Sequence, residues 1–351
     1  MTAVDEGVLT EDVSADEAPL EPARAIIDPH LHVWDIPALP GAPQLPQRFL
    51  LPELLATVER SGHNITHTVF VEAHAMYRAD GPEVMKPLGE VEFANGMAAM
   101  SASGQYGPCR VAHRIVGSAN LLLGDGVAPV LEAQLATAGE RFRGIRFAVA
   151  YSAAGLFGHP CDPAQRDLLR DPNFVAGARV LAARGLSLDV WCLHTQLDDL
   201  MALARAVPEL TIVLNHVGTP DYRAAGAGRE REVWQDWTGR MAALSHCDNV
   251  VVKLSGLGMD VSRPVGATRE EFPSEVLAQR WRPTLEACIE QFGARRSMFA
   301  SNFPPDNAAG SYGALWNAFK RVVAEASADE KDALFRRTAA ATYRIALDDP
   351  D

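Results

Sequence analysis

The sequence is poor in basic residues, in paired cysteines and in long apolar runs. It has 32 Lys and Arg against 45 Asp and Glu, which argues against a nucleic-acid partner because duplex binding needs basic side chains at the phosphates. Its five cysteines are odd in number and form no C-x-x-C pair, so neither a disulfide framework nor a thiolate zinc site is expected. It has no run of about 18 apolar residues that would span a bilayer. With an acidic N-terminus unlike a secretory leader, these features predict a cytoplasmic protein without a membrane partner.

The first 24 residues differ in composition from the rest of the chain. They contain seven acidic residues and one basic residue, with little apolar surface to bury, so residues 1–24 are predicted to form a disordered acidic tail. No later stretch rich in Gly, Ser or Pro divides the chain. Residues 25–351 are therefore predicted to form a single catalytic domain.

Short apolar runs rich in β-branched residues alternate with amphipathic stretches from residue 25 onward. Eight such runs over about 320 residues predict an α/β protein with a (β/α)8 barrel. A doubly wound open sheet is the alternative, but no G-x-G-x-x-G follows the first run. The runs are 25–34, 67–75, 114–122, 142–150, 186–194, 211–218, 249–258 and 296–304.

Histidines cluster at the carboxyl ends of these predicted strands, where barrel enzymes keep their active sites. His30 and His32 lie two residues apart on the first strand, so both side chains point to one side. His194 and His216 end the fifth and sixth strands. Two imidazoles with a third from elsewhere make a good site for a divalent metal. The alternative is that each histidine is merely hydrogen-bonded.

Other titratable residues fall in the same strands. Glu72 and His74 end the second strand, Arg146 lies in the fourth and Lys253 in the seventh. Glu72 is either a catalytic carboxylate or the partner of a buried cation inside the barrel. Arg146 and Lys253 either bind a substrate carboxylate or balance buried charge.

Five motifs in this order resemble the amidohydrolase-related proteins, the amidohydrolase family 2 branch of the amidohydrolase superfamily. The resemblance covers about residues 25–345 and implies a distorted TIM barrel with its site at the carboxyl face. It implies that His30, His32 and His194 are metal ligands and that His216 is catalytic or, as in some members, a ligand of the metal. The motifs are DPHLHVW (28–34), GIR (144–146), His194, LNHVG (214–218) and SNFP (301–304).

One position departs from the family pattern. The last strand of the family usually ends in Ser-Asp-x-Pro, with the aspartate as metal ligand and general base, whereas this chain has Asn302. A carboxamide cannot accept a proton near neutrality and is a poorer metal ligand than a carboxylate. Asp306 or Glu72 is then the candidate base, and Asn302 is expected to donate a hydrogen bond. One Zn²⁺ ion, or alternatively Mn²⁺, is expected, and operation without metal stays open because of Asn302.

The resemblance favours hydrolysis of a lactone or another ester- or amide-like carbonyl of a small acidic molecule. The alternatives are a metal-dependent decarboxylase or other C–C lyase using the same site, and a barrel that binds a small molecule without turnover. An anionic small molecule is the expected partner, and a homodimer is possible. The residues predicted to contact the substrate are Arg146, His74, Tyr77 and Lys253.

Overall fold

Eight parallel strands form one sheet in a computed structural model of the chain, which describes residues 17–37, 45–262 and 271–347. Each strand pairs with the next one along the chain, as in a barrel and unlike a doubly wound sheet. The strands are β1 (Ile26–Leu31), β2 (Ile65–Val71), β3 (Arg110–Gly117), β4 (Phe142–Ala148), β5 (Ser187–Trp191), β6 (Ile212–Leu214), β7 (Val250–Leu254) and β8 (Ser297–Phe299). The predicted barrel is confirmed.

A long helix follows each strand and covers the outside of the barrel. Local sequence explains several helix ends: α1 is followed by Gly62 at φ 64°, and the Asp171 side chain caps the first turn of α4. The helices are α1 (Leu51–Ser61), α2 (Leu88–Ala102), α3 (Ala128–Ala138), α4 (Pro172–Ala183), α5 (Leu197–Ala206), α6 (Glu230–Leu244), α7 (Ser274–Phe292) and α8 (Tyr312–Val322). Smaller elements are the strand pair Trp34–Asp35 and Arg48–Phe49 and the helices Tyr222–Ala225, Ala328–Asp332 and Thr338–Tyr343. None of the described helices combines the length and apolar composition that a membrane crossing requires.

The barrel closes between β1 and the segment that follows β8. The backbone N–H of Asn302 donates to the carbonyl of His30, and that of His32 donates to the carbonyl of Phe303, both at 2.9 Å. The buried Asp28 carboxylate strengthens this seam by accepting hydrogen bonds from the Ser301 amide and hydroxyl and from the Tyr312 hydroxyl. The seam therefore fixes the backbone of His30 and His32 against that of Asn302.

The structure corrects the predicted extent of the N-terminal tail. Residues 17–24 pack against α7 and α8, while residues 1–16 lie outside the described residues. The Glu17 carboxylate accepts a hydrogen bond from the Ser274 amide at the start of α7 at 2.6 Å, and the Lys320 ammonium donates to the Leu20 carbonyl at 2.6 Å. The composition of the tail could not predict these contacts, because the partner residues lie on helices more than 250 residues further along the sequence.

Candidate active site

Three buried imidazoles meet at the carboxyl end of the barrel. The ring centroids of His30 and His32 are 5.0 Å apart, and those of His30 and His216 are 4.6 Å apart. His30 lies in β1 and His32 just after it, while His216 lies in the turn that follows β6. The strands of a barrel bring residues from distant parts of the chain to the same rim. The structure thus brings together three of the four predicted histidines.

The backbone around His216 is strained, and a glycine makes room for its ring. His216 and Val217 have φ values of 55° and 52°, a region that residues with a side chain rarely adopt. Gly256, after β7, lies so close that a Cβ atom there would be 2.5 Å from both Cβ and Cγ of His216. His216 Nδ1 is 2.9 Å from the Ser255 hydroxyl. Strain of this kind concentrates at functional sites, and here it directs His216 towards His30.

The three imidazoles are neutral at physiological pH. Burial, with the neighbouring Lys253 ammonium, lowers the pKa of His30 well below its ordinary value. Burial and the Arg146 guanidinium lower the pKa of His32 to about 3, and the same two causes lower the pKa of His216 well below its usual range. A neutral imidazole carries one N–H donor and one acceptor nitrogen, so the cluster can exchange hydrogen bonds with a substrate.

Asn302 and Asp306 form one side of the site. The Asn302 side-chain amide donates to the Asp306 carboxylate at 2.9 Å, and both side chains are buried. The Asn302 carboxamide also lies beside the His32 ring. Two buried polar atoms here, Asn302 Oδ1 and His30 Nε2, have no hydrogen-bond partner among the described residues. Buried polar atoms are normally satisfied, so these two are candidates to contact a substrate or a water molecule.

Glu72 and Arg146 form a buried ion pair across the barrel mouth. Arg146 Nε is 2.6 Å from Glu72 Oε1, and the other carboxylate oxygen accepts from the His74 backbone N–H at 3.1 Å. Burial, the largest single influence, would raise the pKa of Glu72, but the charge and hydrogen bond of Arg146, together with the neighbouring histidines, hold that pKa below its ordinary value. Glu72 is therefore a poor general base. The Arg146 side chain is 11% exposed.

Lys253, predicted to bind substrate, is placed differently by the structure. Its side chain is fully buried inside the barrel, and Nζ lies 2.6 Å from Asp189 Oδ2 and 3.2 Å from His30 Nδ1. Lys253 sits near the end of β7, where alternate side chains point into the barrel rather than out of its mouth. Among the described residues, Nζ contacts the histidine cluster through His30, and its buried pair with Asp189 fits the charge-balancing alternative predicted for Lys253.

His74 and Tyr77 lie in the loop after β2. The His74 ring is 64% exposed and its Nδ1 is 3.0 Å from the Tyr77 hydroxyl. His74 also has a φ of 56°, which turns its side chain away from the direction that strand alternation from Glu72 predicts. This pair forms the outer wall of the site above Glu72.

The carboxyl group of Glu90, which was not among the predicted site residues, supports this loop. Glu90 Oε1, on α2, accepts hydrogen bonds from the Ala73 and Ala75 backbone N–H groups at 2.8 and 3.1 Å. Burial, followed by the negative charge of Glu72, raises the pKa of Glu90 to about 8, so it is protonated near neutrality. Glu90 lies in the first turn of a helix, where acidic residues are common, so its sequence position did not identify it as a site residue.

Comparison with known proteins places this architecture in a family. The family model of the amidohydrolases matches residues 27–345, which is most of the chain and includes the seam and all the residues above. The chain belongs to the amidohydrolase family. The family suggested by the sequence motifs is thus confirmed.

Three relatives show how far this amidohydrolase resembles known proteins. Uncharacterised protein y4mH of Sinorhizobium fredii is 31% identical over 92% of this chain and 99% of its own length. An L-fucono-1,5-lactonase of Burkholderia multivorans is 28% identical, over 51% of this chain and 58% of the lactonase. The crystal structure of a Burkholderia multivorans amidohydrolase with bound zinc has a TM-score of 0.70 and 25% identity, covering 92% of this chain and 99% of that one.

His194, expected as the third metal ligand of this amidohydrolase, faces elsewhere. Its Nδ1 accepts a hydrogen bond from the Asp221 backbone N–H at 2.9 Å, and its Nε2 is 3.6 Å from Asp236 on α6. Both ring nitrogens thus have partners outside the cluster of His30, His32 and His216. The strand pattern predicted that His194 lies at this end of the barrel, but it did not predict the partners of the imidazole ring.

The described residues do not fit the expected metal site. Among them, no group of three or more His, Cys, Asp or Glu side chains has a geometry that could hold a metal ion. The family's usual carboxylate ligand is the neutral Asn302, and the Asp306 oxygen nearest to it accepts the Asn302 amide hydrogen. A zinc site needs ligands whose lone pairs converge on one point, and that convergence is missing from the set predicted from the sequence.

Replacing Glu90 with glutamine should stabilise the protein more at alkaline than at acidic pH. In the wild type the folded state keeps Glu90 protonated up to a pKa of about 8, while in the unfolded chain Glu90 ionises near the ordinary glutamate pKa of 4.5. Wild-type stability should therefore fall as the pH rises between these values, by at most about 1.4 kcal/mol per pH unit. Glutamine is neutral and can still accept from Ala73 and Ala75, so this pH dependence should disappear. Urea unfolding at about pH 5 and about pH 8 measures the difference.

Glu92→Gln is the matched control for Glu90→Gln. Glu92 lies two residues further along α2, but it is exposed and pairs with Arg78. Its replacement should leave the pH dependence of unfolding unchanged. Equal pH profiles for Glu90→Gln and the wild type would contradict a protonated Glu90.

Proposed function

We propose that this amidohydrolase hydrolyses a lactone, or another ester- or amide-like carbonyl, on a small acidic molecule. The observation that carries the proposal is the convergence at one barrel mouth of three neutral imidazoles, the Asp306 carboxylate and the Arg146 guanidinium. Such a set supplies hydrogen-bond donors for a developing oxyanion, a proton acceptor for water and a cation for a substrate carboxylate. The partial likeness to an L-fucono-1,5-lactonase supports a lactone as the substrate class.

Arg146 orients the substrate in this scheme. Glu72 holds its guanidinium at 2.6 Å, so the cation is positioned before a ligand arrives. A guanidinium fixed in this way can donate its remaining N–H groups to a substrate carboxylate. His74 and Tyr77 line the outer wall beside it. The proposed partner is therefore a small anion, and a homodimer in the cytoplasm stays a prediction.

The chemical step uses a carboxylate and neutral imidazoles. Asp306 takes the proton from the attacking water, because the pKa of Glu72 is lowered and the carboxamide of Asn302 cannot accept a proton. His30 and His216 donate hydrogen bonds to the carbonyl oxygen as it gains negative charge. The proton then passes from Asp306 to the leaving oxygen, which opens the ring. No step is assigned to a metal ion, since the described ligand set does not fit one.

A panel of 1,4- and 1,5-lactones, with and without a carboxylate, tests the proposal in ¹⁸O-labelled water. We expect turnover of at least one lactone, with one labelled oxygen entering the new carboxylate. His216→Gln should abolish this turnover, whereas His194→Gln should keep it, since His194 faces Asp221 and Asp236. Product without label would indicate a decarboxylase or another lyase. Equal losses in the two variants would contradict the assigned site.

A further inference from the structure

The two histidines of the His-x-His motif use Nδ1 in opposite ways. His32 Nδ1 lies 2.8 Å from the Val71 carbonyl oxygen. A carbonyl oxygen can only accept, so the hydrogen of the neutral His32 ring is on Nδ1 and its Nε2 carries a lone pair. This is the tautomer that a histidine needs in order to bind a metal through Nε2.

His30 Nδ1 faces a donor instead. It lies 3.2 Å from the Lys253 ammonium, which is also 2.6 Å from Asp189 Oδ2. That carboxylate accepts further hydrogen bonds from the Tyr343 hydroxyl at 3.0 Å and the Asn215 amide at 3.1 Å. The Asp189 carboxylate thus accepts hydrogen bonds from three donors. Its partner Lys253 is an ammonium, which can only donate hydrogen bonds. His30 Nδ1 therefore accepts.

We infer that the buried Lys253 fixes His30 as the tautomer with its hydrogen on Nε2, which makes His30 a hydrogen-bond donor in the site and not a metal ligand. Its Nε2 is buried and has no hydrogen-bond partner among the described residues. The identity of the acceptor, a substrate carbonyl oxygen, rests on the proposed function. The tautomer itself does not. Lys253 is thus a positioning residue that acts through His30.

Nitrogen-15 NMR of the wild-type chain labelled in histidine tests the tautomer directly. His30→Gln and His32→Gln assign the two rings by the signals that disappear. We expect the protonated nitrogen to be Nε2 in His30 and Nδ1 in His32, so that the second ring is an internal reference. A hydrogen on Nδ1 of His30 would overturn the inference. The measurement involves no turnover, so a failure of the lactone panel would contradict the proposed function alone.

Zinc binding to folded variants provides the second readout. Lys253→Met together with Asp189→Asn removes the buried pair as a unit, so no unpaired charge is left. Freed from the ammonium, His30 can place its lone pair on Nε2, and we expect the dissociation constant for Zn²⁺ to fall at least about tenfold. Adding His30→Gln should reverse this gain. One zinc per wild-type chain that is lost on His30→Gln would overturn the inference, as would unchanged zinc affinity in the folded double variant.

Discussion

Asp306→Asn should lower kcat for lactone hydrolysis by about 10²–10⁴-fold, the usual contribution of a general base. The Michaelis constant should change little, because Arg146 and the imidazoles that contact the ground state are unaltered. Asparagine has nearly the same shape, and its carbonyl oxygen can still accept from the Asn302 amide, which lies 2.9 Å from the Asp306 carboxylate. Steady-state kinetics with the best substrate of the lactone panel measure both constants.

Asp199→Asn is the control for the Asp306 variant. Asp199 is also largely buried, but it lies in α5 on the outside of the barrel and pairs with Arg170. Its replacement should leave both constants near the wild-type values. If Asp306→Asn keeps kcat within a few-fold of the wild type while folding normally, the base lies elsewhere and the assigned mechanism is wrong.

The sequence was sufficient for the barrel and for the rim on which the site lies. Alternating apolar runs and amphipathic stretches predicted all eight strands. The polar residues that follow the strands converge as expected because parallel strands end at the same face. His30, His32 and His216 meet for this reason.

The direction of individual side chains could not be predicted in the same way. His194 ends the expected strand, yet the Asp221 backbone and Asp236 determine where its ring points. Lys253 was expected to meet substrate, but its partner Asp189 lies on a strand that is two positions away in the sheet. Such partners depend on strand register and loop path, which the hydrophobic pattern of one sequence does not specify.

The seam between β1 and the segment after β8 links fold and chemistry. The hydrogen bonds that close the barrel are made by the backbones of His30, His32, Asn302 and Phe303. Side chains on a rigid seam lose little conformational entropy when a substrate binds, which favours precise positioning. The departure from the family pattern, Asn302, lies on this seam. The Asn302 side chain donates a hydrogen bond to Asp306 and lies beside the His32 ring, so it helps to position both side chains.

Arg146→Met should destabilise the folded protein by about 3–5 kcal/mol, the cost of leaving one member of a buried pair without its partner. The Glu72 side chain is only 1% exposed, so water cannot replace the lost guanidinium. Arg78→Met removes an exposed cation paired with Glu92 and should change stability little. Urea unfolding of both variants measures the two free energies. A small effect at Arg146 would mean that Glu72 becomes hydrated or protonated at little cost.

The pH dependence of unfolding distinguishes a lost charge pair from lost packing. In the wild type the pKa of Glu72 is lowered, so its contribution is present above the unfolded pKa and is lost as the pH falls through the folded one. Without Arg146, burial raises that pKa, and stability should instead be regained as the pH falls towards the unfolded value. Adding Glu72→Gln to Arg146→Met should remove this pH dependence and recover part of the lost stability, because the uncharged pair leaves no buried charge. A loss that is constant across pH and not recovered in the double variant would assign Arg146 to packing.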